Sequence, residues 1–404
     1  MILAGGNDQI ALIEELRRYF HGDVEIFLVD MSSNVRAIPY ADRFLPISTM
    51  DKTAVLKAAR DEKIDYILTA CGDQPLSTMA YVATEMGLPT YLSEHDVRDL
   101  TNKRYMKEKM IQSGIPTAKH IYIDSIWNGK LPDFEYPLVV KPVDSNGSKG
   151  VKKVFAPSDL EKSLKEAFQY SLSGDVIIEE FKQGEELSVD VYVEGDEAKI
   201  LSITASKKIK ENTKSFTIVQ SYYPAPVSYK ENIILHIVQQ IVDAWHLHDT
   251  PLLVQIIVNG DDYYVLEFSA RMGGGSKYYL IKALSGVDIM KVYVEMVMGE
   301  RPHVEPQKQY NNAIMSYVYC KPGEFVSLNG LKELKEEGEI LEYFVYKMPH
   351  SIIEKSDTSS DRVCGFLVVG NSENEVKRKL KYANEHIAVL NGIGVDIMRH
   401  DLVC

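Results

Sequence analysis

A lysine followed by a small polar loop is the first feature of this sequence that suits the binding of phosphate groups. Lys141 closes the apolar run YPLVVK, and residues 142–150 (PVDSNGSKG) lead into the next apolar run. Backbone N–H groups in such a loop can donate to phosphate oxygens, and a lysine adds a point charge. The spacing is not that of a Walker A loop, whose closing Gly-Lys-Ser/Thr is missing. Taken alone, the loop is explained more simply as a Gly/Ser hairpin turn.

A second stretch, DVIIEEFKQGEELSVDVYV, has residues that could surround a base and its sugar. Glu179, Glu180, Phe181 and Lys182 stand where a predicted strand ends, so their backbone could hydrogen-bond an adenine edge beside the apolar ring of Phe181. Glu186 opens the next strand, where it could accept hydrogen bonds from ribose hydroxyls. A solvated acidic turn is the alternative when this stretch is taken alone.

A third stretch, QIIVNGDDYYVLEFSARMGGG, is a predicted β-hairpin with Gln255 on one strand and Glu267 on the other. The alternation of strand side chains puts Ser269 and Arg271 on the face of Glu267, and the two strands could converge there. Oxygen ligands suit Mg²⁺, and an arginine can bind phosphoryl or carboxylate groups through two hydrogen bonds. The helix that follows has an N-terminus suited to anions, preceded by three glycines: Gly273, Gly274 and Gly275.

The elements that must position these residues fall into three predicted blocks. Residues 1–98 alternate short apolar strands with helical stretches, which predicts a small parallel sheet with flanking helices. Gly5, Gly6 and Asp30 could suggest a dinucleotide site, but the full GxGxxG pattern is absent, which favours a structural turn. Residues 99–312 open with the helix TNKRYMKEKMIQSG and continue with β-branched strands. Residues 313–404 combine hairpin-like strands with one long helix, typical of a small α+β cap.

The composition excludes several classes of function. The chain has 404 residues, with 58 Asp and Glu against 45 Lys and Arg, and a net charge of -13 would repel nucleic acid over most of its surface. No apolar run approaches the roughly 18–20 residues that cross a membrane, and no signal peptide is evident. The four cysteines are far apart without a CxxC pair, which argues against a zinc site or disulfide framework. We therefore expect a cytoplasmic protein with small-molecule partners and no nucleic acid or membrane partner.

The order of these features resembles the ATP-grasp superfamily along essentially the whole chain. The resemblance is to carboxylate-amine ligases, including L-amino-acid ligases, phosphoribosylamine-glycine ligases and the synthetase domains of carbamoyl phosphate synthase. TNKRYMKEKMIQSGIPTAKH looks like the family helix whose lysine reaches ATP phosphates, here Lys103, and KPVDSNGSKGV looks like the phosphate loop. The implied fold is α/β plus α+β. It comprises a pre-ATP-grasp, Rossmann-like domain at 1–98, an ATP-grasp domain at 99–312 with a lid at about 117–182, and a C-terminal domain at 313–404.

The resemblance also implies roles for individual residues. Lys141 would bind the α- and β-phosphates, Glu180 to Lys182 the adenine and Glu186 the ribose. Arg271 would stabilise the transferred phosphoryl group, so Arg271 and Lys141 are the catalytic candidates. The predicted metal ligands are Glu267, Gln255 and Ser269, and the predicted substrate contacts are Arg271, Gly273, Gly274 and Gly275. The predicted ATP-binding residues are Lys103, Lys141, Ser145, Gly147, Ser148, Lys149, Gly150, Glu179, Glu180, Phe181, Lys182 and Glu186.

The implied activity is ATP-dependent joining of a carboxylate to an amine through an acyl phosphate, with release of ADP and phosphate. ATP and Mg²⁺ are the expected cofactors, with Mn²⁺ as a substitute, and a homodimer is compatible with the family. Gln255 and Ser269 stand where the family usually has an acidic residue and an Asn, so the metal site lacks one negative charge. Two alternatives stay open: a purine-pathway or carboxylating ATP-grasp enzyme, and a non-catalytic nucleotide-binding protein with a decayed metal site.

Overall fold

Three β-sheets and the helices packed on them make up most of the chain. A computed structural model describes residues 1–124, 131, 133–145, 149–209, 216–356 and 358–403. The sheets have three, four and eight strands, and two small two-stranded sheets accompany them. The predicted fold class, α/β plus α+β, is confirmed. Within the described residues, no helix has both the length and the apolar character needed to cross a membrane.

The three-stranded sheet belongs to the first block and is parallel. Its strands Ile2–Leu3 and Phe27–Val29 are apolar and buried, as expected for strands covered by helices, while Arg43–Leu45 is more exposed. The N–H of Gly5 donates to Oδ2 of Asp30 at 2.9 Å, so a structural turn accounts for both residues. The elements are β1 (Ile2–Leu3), α1 (Asn7–Tyr19), β2 (Phe27–Val29), β3 (Arg43–Leu45), α2 (Lys52–Asp61), α3 (Asp73–Met86) and α4 (Glu94–Thr101).

The four-stranded sheet carries the predicted phosphate loop. Its strand order is β4-β7-β5-β6, and the 142–151 loop joins its third and fourth strands in this order. One helix covers its apolar face through Leu160, Leu164 and Ala167, which belong to a small core of their own. The elements of this part are α5 (Lys103–Gln112), β4 (His120–Ile123), β5 (Leu138–Pro142), β6 (Lys152–Val154), α6 (Pro157–Tyr170) and β7 (Val176–Glu180).

The eight-stranded sheet holds the predicted β-hairpin at one edge. Its strand order is β12-β11-β8-β9-β10-β13-β18-β16, so three strands from beyond residue 311 continue the sheet begun by β8. The elements up to residue 300 are β8 (Glu185–Glu194), β9 (Glu197–Lys208), β10 (Ile218–Tyr223), α7 (Glu231–Trp245), β11 (Thr250–Asn259), β12 (Asp262–Ser269), α8 (Lys277–Ser285) and α9 (Ile289–Val297). The remaining elements are β13 (Asn312–Val318), β14 (Gly323–Phe325), β15 (Ser327–Asn329), α10 (Leu331–Glu336), β16 (Glu342–Val345), β17 (Ser351–Ile353), β18 (Cys364–Gly370), α11 (Glu373–His386) and β19 (Ala388–Leu390).

Candidate active site

Two adjoining cavities lie where the four-stranded sheet faces the edge of the eight-stranded sheet. The larger, about 810 Å³, is lined by residues of β5 to β12. The smaller, about 190 Å³, is lined by residues of α3, α4, α5, β11 and β12. Four residues line both cavities and mark the passage between them: Lys103, Ser145, Gln255 and Glu267. All four were predicted site residues, so the structure brings their three separate sequence stretches together.

Glu267 and Gln255 face each other across the hairpin, as the sequence predicted. They are directly paired in the antiparallel register of β11 and β12, next to a bulge. Nζ of Lys103 lies 3.3 Å from Oε2 of Glu267 and donates to the carbonyl oxygen of Ser145 at 2.7 Å. Burial alone would raise the pKa of Glu267, but attraction from Lys103 and Lys141 outweighs it and lowers that pKa. Glu267 is therefore an ionised carboxylate between the two cavities.

Gln255 is also tied to the predicted ribose residue. Its Nε2 donates to Oε1 of Glu186 at 3.2 Å, and Oε2 of Glu186 accepts from Nζ of Lys208 at 2.5 Å. Because the amide nitrogen donates to Glu186, the amide oxygen of Gln255 faces away from that carboxylate and can accept from another group. Gln255 therefore donates to a carboxylate, which an ionised glutamate could not do, and it keeps an oxygen that can accept.

Lys141 and Glu179 form a buried ion pair rather than two independent ligands. Nζ of Lys141 lies 2.9 Å from Oε2 of Glu179, and Nζ of Lys107 lies 3.0 Å from Oε1. Burial would raise the pKa of Glu179, but the two lysines lower it to about 2. Both Lys141 and Glu179 line the larger cavity. The carboxylate of Glu179 is thus occupied by lysines, which the sequence did not indicate.

The predicted adenine-binding segment lines the larger cavity, with some of its donors already used. The N–H groups of Glu180 and Phe181 donate to the carbonyl oxygens of Lys119 and Pro137 at 3.0 and 3.1 Å. Nζ of Lys182 donates to Oε2 of Glu180 at 3.0 Å. The ring of Phe181 is covered by Nζ of Lys153 at 3.4 Å from its centroid. Phe181 can still supply an apolar wall. The N–H groups of Phe181 and Glu180, however, are already hydrogen-bonded within the protein.

Arg271 is held by an aspartate from the first block. Its Nε and Nη2 donate to Oδ1 and Oδ2 of Asp73 at 2.8 and 2.7 Å, and its Nη1 donates to the carbonyl oxygen of Met272 at 2.8 Å. The hydroxyl of Ser269 also donates to Oδ1 of Asp73, at 2.5 Å. Burial would raise the pKa of Asp73, but Arg271 and these hydrogen bonds lower it. Arg271, Ser269 and Asp73 all line the smaller cavity.

The comparison with known protein families agrees with this arrangement. Residues 134–278 match the model of the ATP-grasp domain. The chain contains an ATP-grasp domain. The matched range of this domain includes the 142–150 loop, strands β5 to β12 and so the whole β11–β12 hairpin. The resemblance inferred from the sequence is confirmed.

Several proteins similar to this chain are named as ligases. A phosphoribosylamine–glycine ligase from Thermococcus kodakarensis is 23% identical over 416 residues, which cover 96% of this chain and 93% of that enzyme. Another, from Leptospira interrogans serovar Lai, is 24% identical over 288 residues, which cover 66% of each chain, just under two thirds. Among solved structures, the L-amino acid ligase from Bacillus licheniformis has a TM-score of 0.80 and 21% identity, covering 96% of this chain and 98% of that one. At this identity, the structural match shows the shared fold.

Two backbone donors at the end of the glycine run of the ATP-grasp domain are engaged by a carboxylate of the first block. The N–H groups of Gly275 and Ser276, at the start of α8, donate to the carboxylate of Asp8 at 3.3 and 3.0 Å. An internal carboxylate thus takes these two donors, and the substrate contacts expected at the three glycines stay a prediction. Gly273 packs against Lys277 and Asp190, while Gly274 lies against the carbonyl oxygen of Cys71. These close contacts leave little room for a Cβ atom at Gly273 or Gly274, which explains the glycines at both positions.

The phosphate loop is described at both of its ends. Ser145 donates through its hydroxyl to the carbonyl oxygen of Lys149 at 3.2 Å, which closes the loop on itself. Gly150 has a φ of +72°, and a Cβ there would meet Pro142 and Tyr170 at 2.9 Å. Gly150 is thus required by the backbone whatever it binds. The predicted ATP-binding residues Gly147 and Ser148 lie outside the described residues.

Three residues at or beside the site were missed by the sequence reasoning: Asp8, Asp73 and Lys107. Asp8 lies near the start of α1, just after β1, and Asp73 begins α3. Both stand after the carboxyl ends of segments in the parallel sheet, where α/β folds commonly place functional groups. That position was a usable signal. Lys107 gave none, because its partner Glu179 is distant in sequence.

The donor set around Glu267 fits a Mg²⁺ ion that arrives with a nucleotide better than a resident metal centre. In the described part of the chain, no group of three or more His, Cys, Asp or Glu side chains could hold a metal. Glu267 offers a charged oxygen and Gln255 a neutral one across the hairpin. Mg²⁺ needs about six oxygen ligands and commonly takes several from phosphates and water. The hydroxyl of Ser269 is instead engaged with Asp73.

Proposed function

We propose that this chain is an ATP-dependent ligase that forms C–N bonds, joining a carboxylate to an amine with release of ADP and phosphate. The observation that carries the proposal is the meeting of two cavities at Lys103, Ser145, Gln255 and Glu267. A ligase of this type must bring a phosphoryl donor and a carboxylate acceptor together at one point. Cations and an ionised carboxylate at that point suit the transfer of a phosphoryl group.

The larger cavity is the proposed ATP site. Its volume suits a nucleotide, and its lining includes the apolar ring of Phe181 and the ammonium groups of Lys141 and Lys103. Lys141 and Lys103 would bind phosphate oxygens, while Glu186 lies where a ribose could reach it. Glu267, with the oxygen of Gln255, would hold Mg²⁺ against the phosphates. When bound, Mg²⁺ supplies neutralisation of phosphate charge.

The smaller cavity is the proposed site of the carboxylate and the amine. Arg271 has guanidinium N–H groups beyond those donated to Asp73 and Met272, since a guanidinium carries five donors. Those groups can orient a carboxylate or the phosphoryl group that it receives. Leu100, Met106 and Phe268 give the same space apolar walls, which would limit the access of water. Exclusion of water favours attack by the amine over hydrolysis.

The proposed reaction has two steps, phosphoryl transfer to the carboxylate and amide formation. An oxygen of the substrate carboxylate attacks the γ-phosphorus, and the bond from that phosphorus to the β-phosphate oxygen breaks, which gives an acyl phosphate and ADP. The amine nitrogen then attacks the acyl carbon, phosphate leaves with the electron pair of the C–O bond, and the nitrogen loses a proton. The protein supplies alignment and charge stabilisation from Lys103, Lys141 and Arg271.

Trapping of the acyl phosphate tests this function directly. Purified full-length protein, ATP and Mg²⁺ are screened for ADP release over carboxylates, with amino acids, ammonia, bicarbonate or hydroxylamine as second reactant. The expected result is ADP release with a carboxylate and amine pair, and a hydroxamate when hydroxylamine replaces the amine. ADP release with bicarbonate alone would show a carboxylating enzyme instead. ATP binding without ADP release under any pair would support a non-catalytic nucleotide-binding protein.

A further inference from the structure

Lys107 is a fully buried lysine that has no part in the function proposed above. It lies on α5 one turn after Lys103, and its side chain has 0% exposure. Its Nζ donates to the hydroxyl of Thr117 at 2.7 Å, and that hydroxyl donates to the carbonyl oxygen of Val265 on β12 at 2.8 Å. Burial of an ammonium group is costly unless it is paired. Its charged partner is Glu179, 3.0 Å away.

Glu179 is shared between two lysines with different surroundings. Lys141 lies 2.9 Å from one carboxylate oxygen and also lines the larger cavity, whereas Lys107 lines neither cavity. Two ammonium groups on one carboxylate leave one net positive charge in this cluster. Because Lys107 is enclosed and Lys141 is not, the surplus charge faces the cavity. Without Lys107, the carboxylate would neutralise Lys141 alone.

We infer that Lys107 is a positioning residue for nucleotide binding. It neutralises Glu179 from the side away from the larger cavity, so that Lys141 presents its charge to the phosphates. The inference rests on the proposed function, since it requires a nucleotide phosphate in the larger cavity. It differs from a role in packing because its effect depends on the charge of Glu179. Lys107 does not touch the ligand and acts only through Glu179 and Lys141.

The charges around Lys107 make its effect sensitive to pH. The groups that face it are Glu179 from β7, Lys141 from β5, Glu267 from β12 and His120 from β4. Burial lowers the pKa of Lys107 to about 8, although Glu179 opposes the change. Above that pH, Lys107 becomes neutral and Glu179 keeps Lys141 as its only cation. ATP affinity should therefore fall as the pH rises through about 8.

The test measures the affinity of the full-length protein for ATP with Mg²⁺ by calorimetry at pH 7. We expect Lys107→Met to weaken binding by about tenfold or more, because Glu179 then competes with the phosphates for Lys141. The double variant Lys107→Met/Glu179→Gln removes both charges and should bind ATP more tightly than Lys107→Met, because Lys141 then has no competing carboxylate. Lys109→Met is the matched control, since it removes a lysine from the same helix whose ammonium lies over the ring of Trp245. It should bind ATP as the wild type does.

Each result bears on a separate claim. If the wild type does not bind ATP, both the proposed function and this inference are wrong. If the wild type binds ATP while Lys107→Met binds equally well, or the double variant stays as weak as Lys107→Met, only the role of Lys107 is refuted. If Lys107→Met does not fold, the pH dependence decides: affinity should fall between pH 7 and 9 in the wild type and stay level in the double variant. A level wild-type profile would then overturn the inference.

Discussion

Replacing Gln255 with glutamate should make the protein less stable alone and more dependent on magnesium-bound nucleotide for its stability. The amide nitrogen of Gln255 donates to Glu186 at 3.2 Å, and the glutamate would put a carboxylate in its place. Glu267 stands directly opposite on the neighbouring strand. The substitution would therefore bring three carboxylates together where the wild type has two and a hydrogen-bond donor.

The size of the effect follows from these distances. Two unit charges about 4 Å apart repel by about 4 kcal/mol at an effective dielectric constant of about 20. Lys208 already binds the other oxygen of Glu186 at 2.5 Å, and Gln255 is only partly buried, so screening reduces the cost. We expect a loss of about 1–2 kcal/mol, which lowers the melting temperature of a chain of this length by about 1 °C for each kcal/mol. Mg²⁺ bound with nucleotide would neutralise the added charge and recover that loss.

The assay compares melting temperatures with and without Mg²⁺ and a non-hydrolysable ATP analogue, followed by a Mg²⁺ titration of ADP release. The variant should gain more stability from the Mg²⁺ nucleotide than the wild type does, and its half-maximal Mg²⁺ concentration should fall by about fivefold, the equivalent of about 1 kcal/mol. Gln169→Glu is the control, because it adds the same charge on the exposed end of α6. An unchanged melting temperature and Mg²⁺ dependence in Gln255→Glu would refute both the contact with Glu186 and the proposed metal role.

Three further changes test other parts of the site. Lys141→Met should weaken ATP binding and slow ADP release together, by about tenfold or more, since a charged phosphate contact is lost; calorimetry showing full affinity would remove Lys141 from the ATP site. Asp73→Asn should cost about 2 kcal/mol in denaturant unfolding at pH 7, because Arg271 loses its buried partner. Since folding lowers the pKa of Asp73, that difference should be full above its unfolded value of about 3.9 and shrink as the pH falls below it; a difference that is constant with pH would contradict the ion pair. Gly275→Ala should destabilise more than Gly299→Ala: both have positive φ, but only at Gly275 would a Cβ meet a side chain, Arg362 at 2.5 Å, and equal melting temperatures would disprove the clash.

The parts of the site that the sequence predicted are those set by local rules. Two adjacent strands of one hairpin placed Gln255 and Glu267 near each other, and the bulge between Gln255 and Ile256 sets the register in which they pair directly. A lysine at the end of a strand before a polar loop likewise placed Lys141 beside the larger cavity. Residues close in sequence share a geometry that strand periodicity fixes.

The contacts that the sequence could not predict join residues far apart along the chain. Asp73 and Arg271 are 198 positions apart, and Asp8 and Gly275 are 267 apart. Such pairs depend on how the first block docks against the ATP-grasp domain, which no local pattern describes. The glycine run was interpreted as a ligand site because a free helix N-terminus attracts anions, and the same physics attracted Asp8. Internal carboxylates compete with ligands for the same donors.

The continuous eight-stranded sheet has a consequence for dividing or recombining this protein. β10 is hydrogen-bonded to β13, and β13 to β18. β10 is therefore interior to the sheet only because strands from beyond residue 311 cover its edge. A truncation at 312 would leave the backbone groups of β10 as a bare edge, and it would also uncover buried residues such as Val219. Unprotected edges of this kind pair with other chains and aggregate. A chimera that exchanges the C-terminal segment with a relative should therefore be joined after residue 300, before β13, and should carry the incoming β13 with its own partner strands.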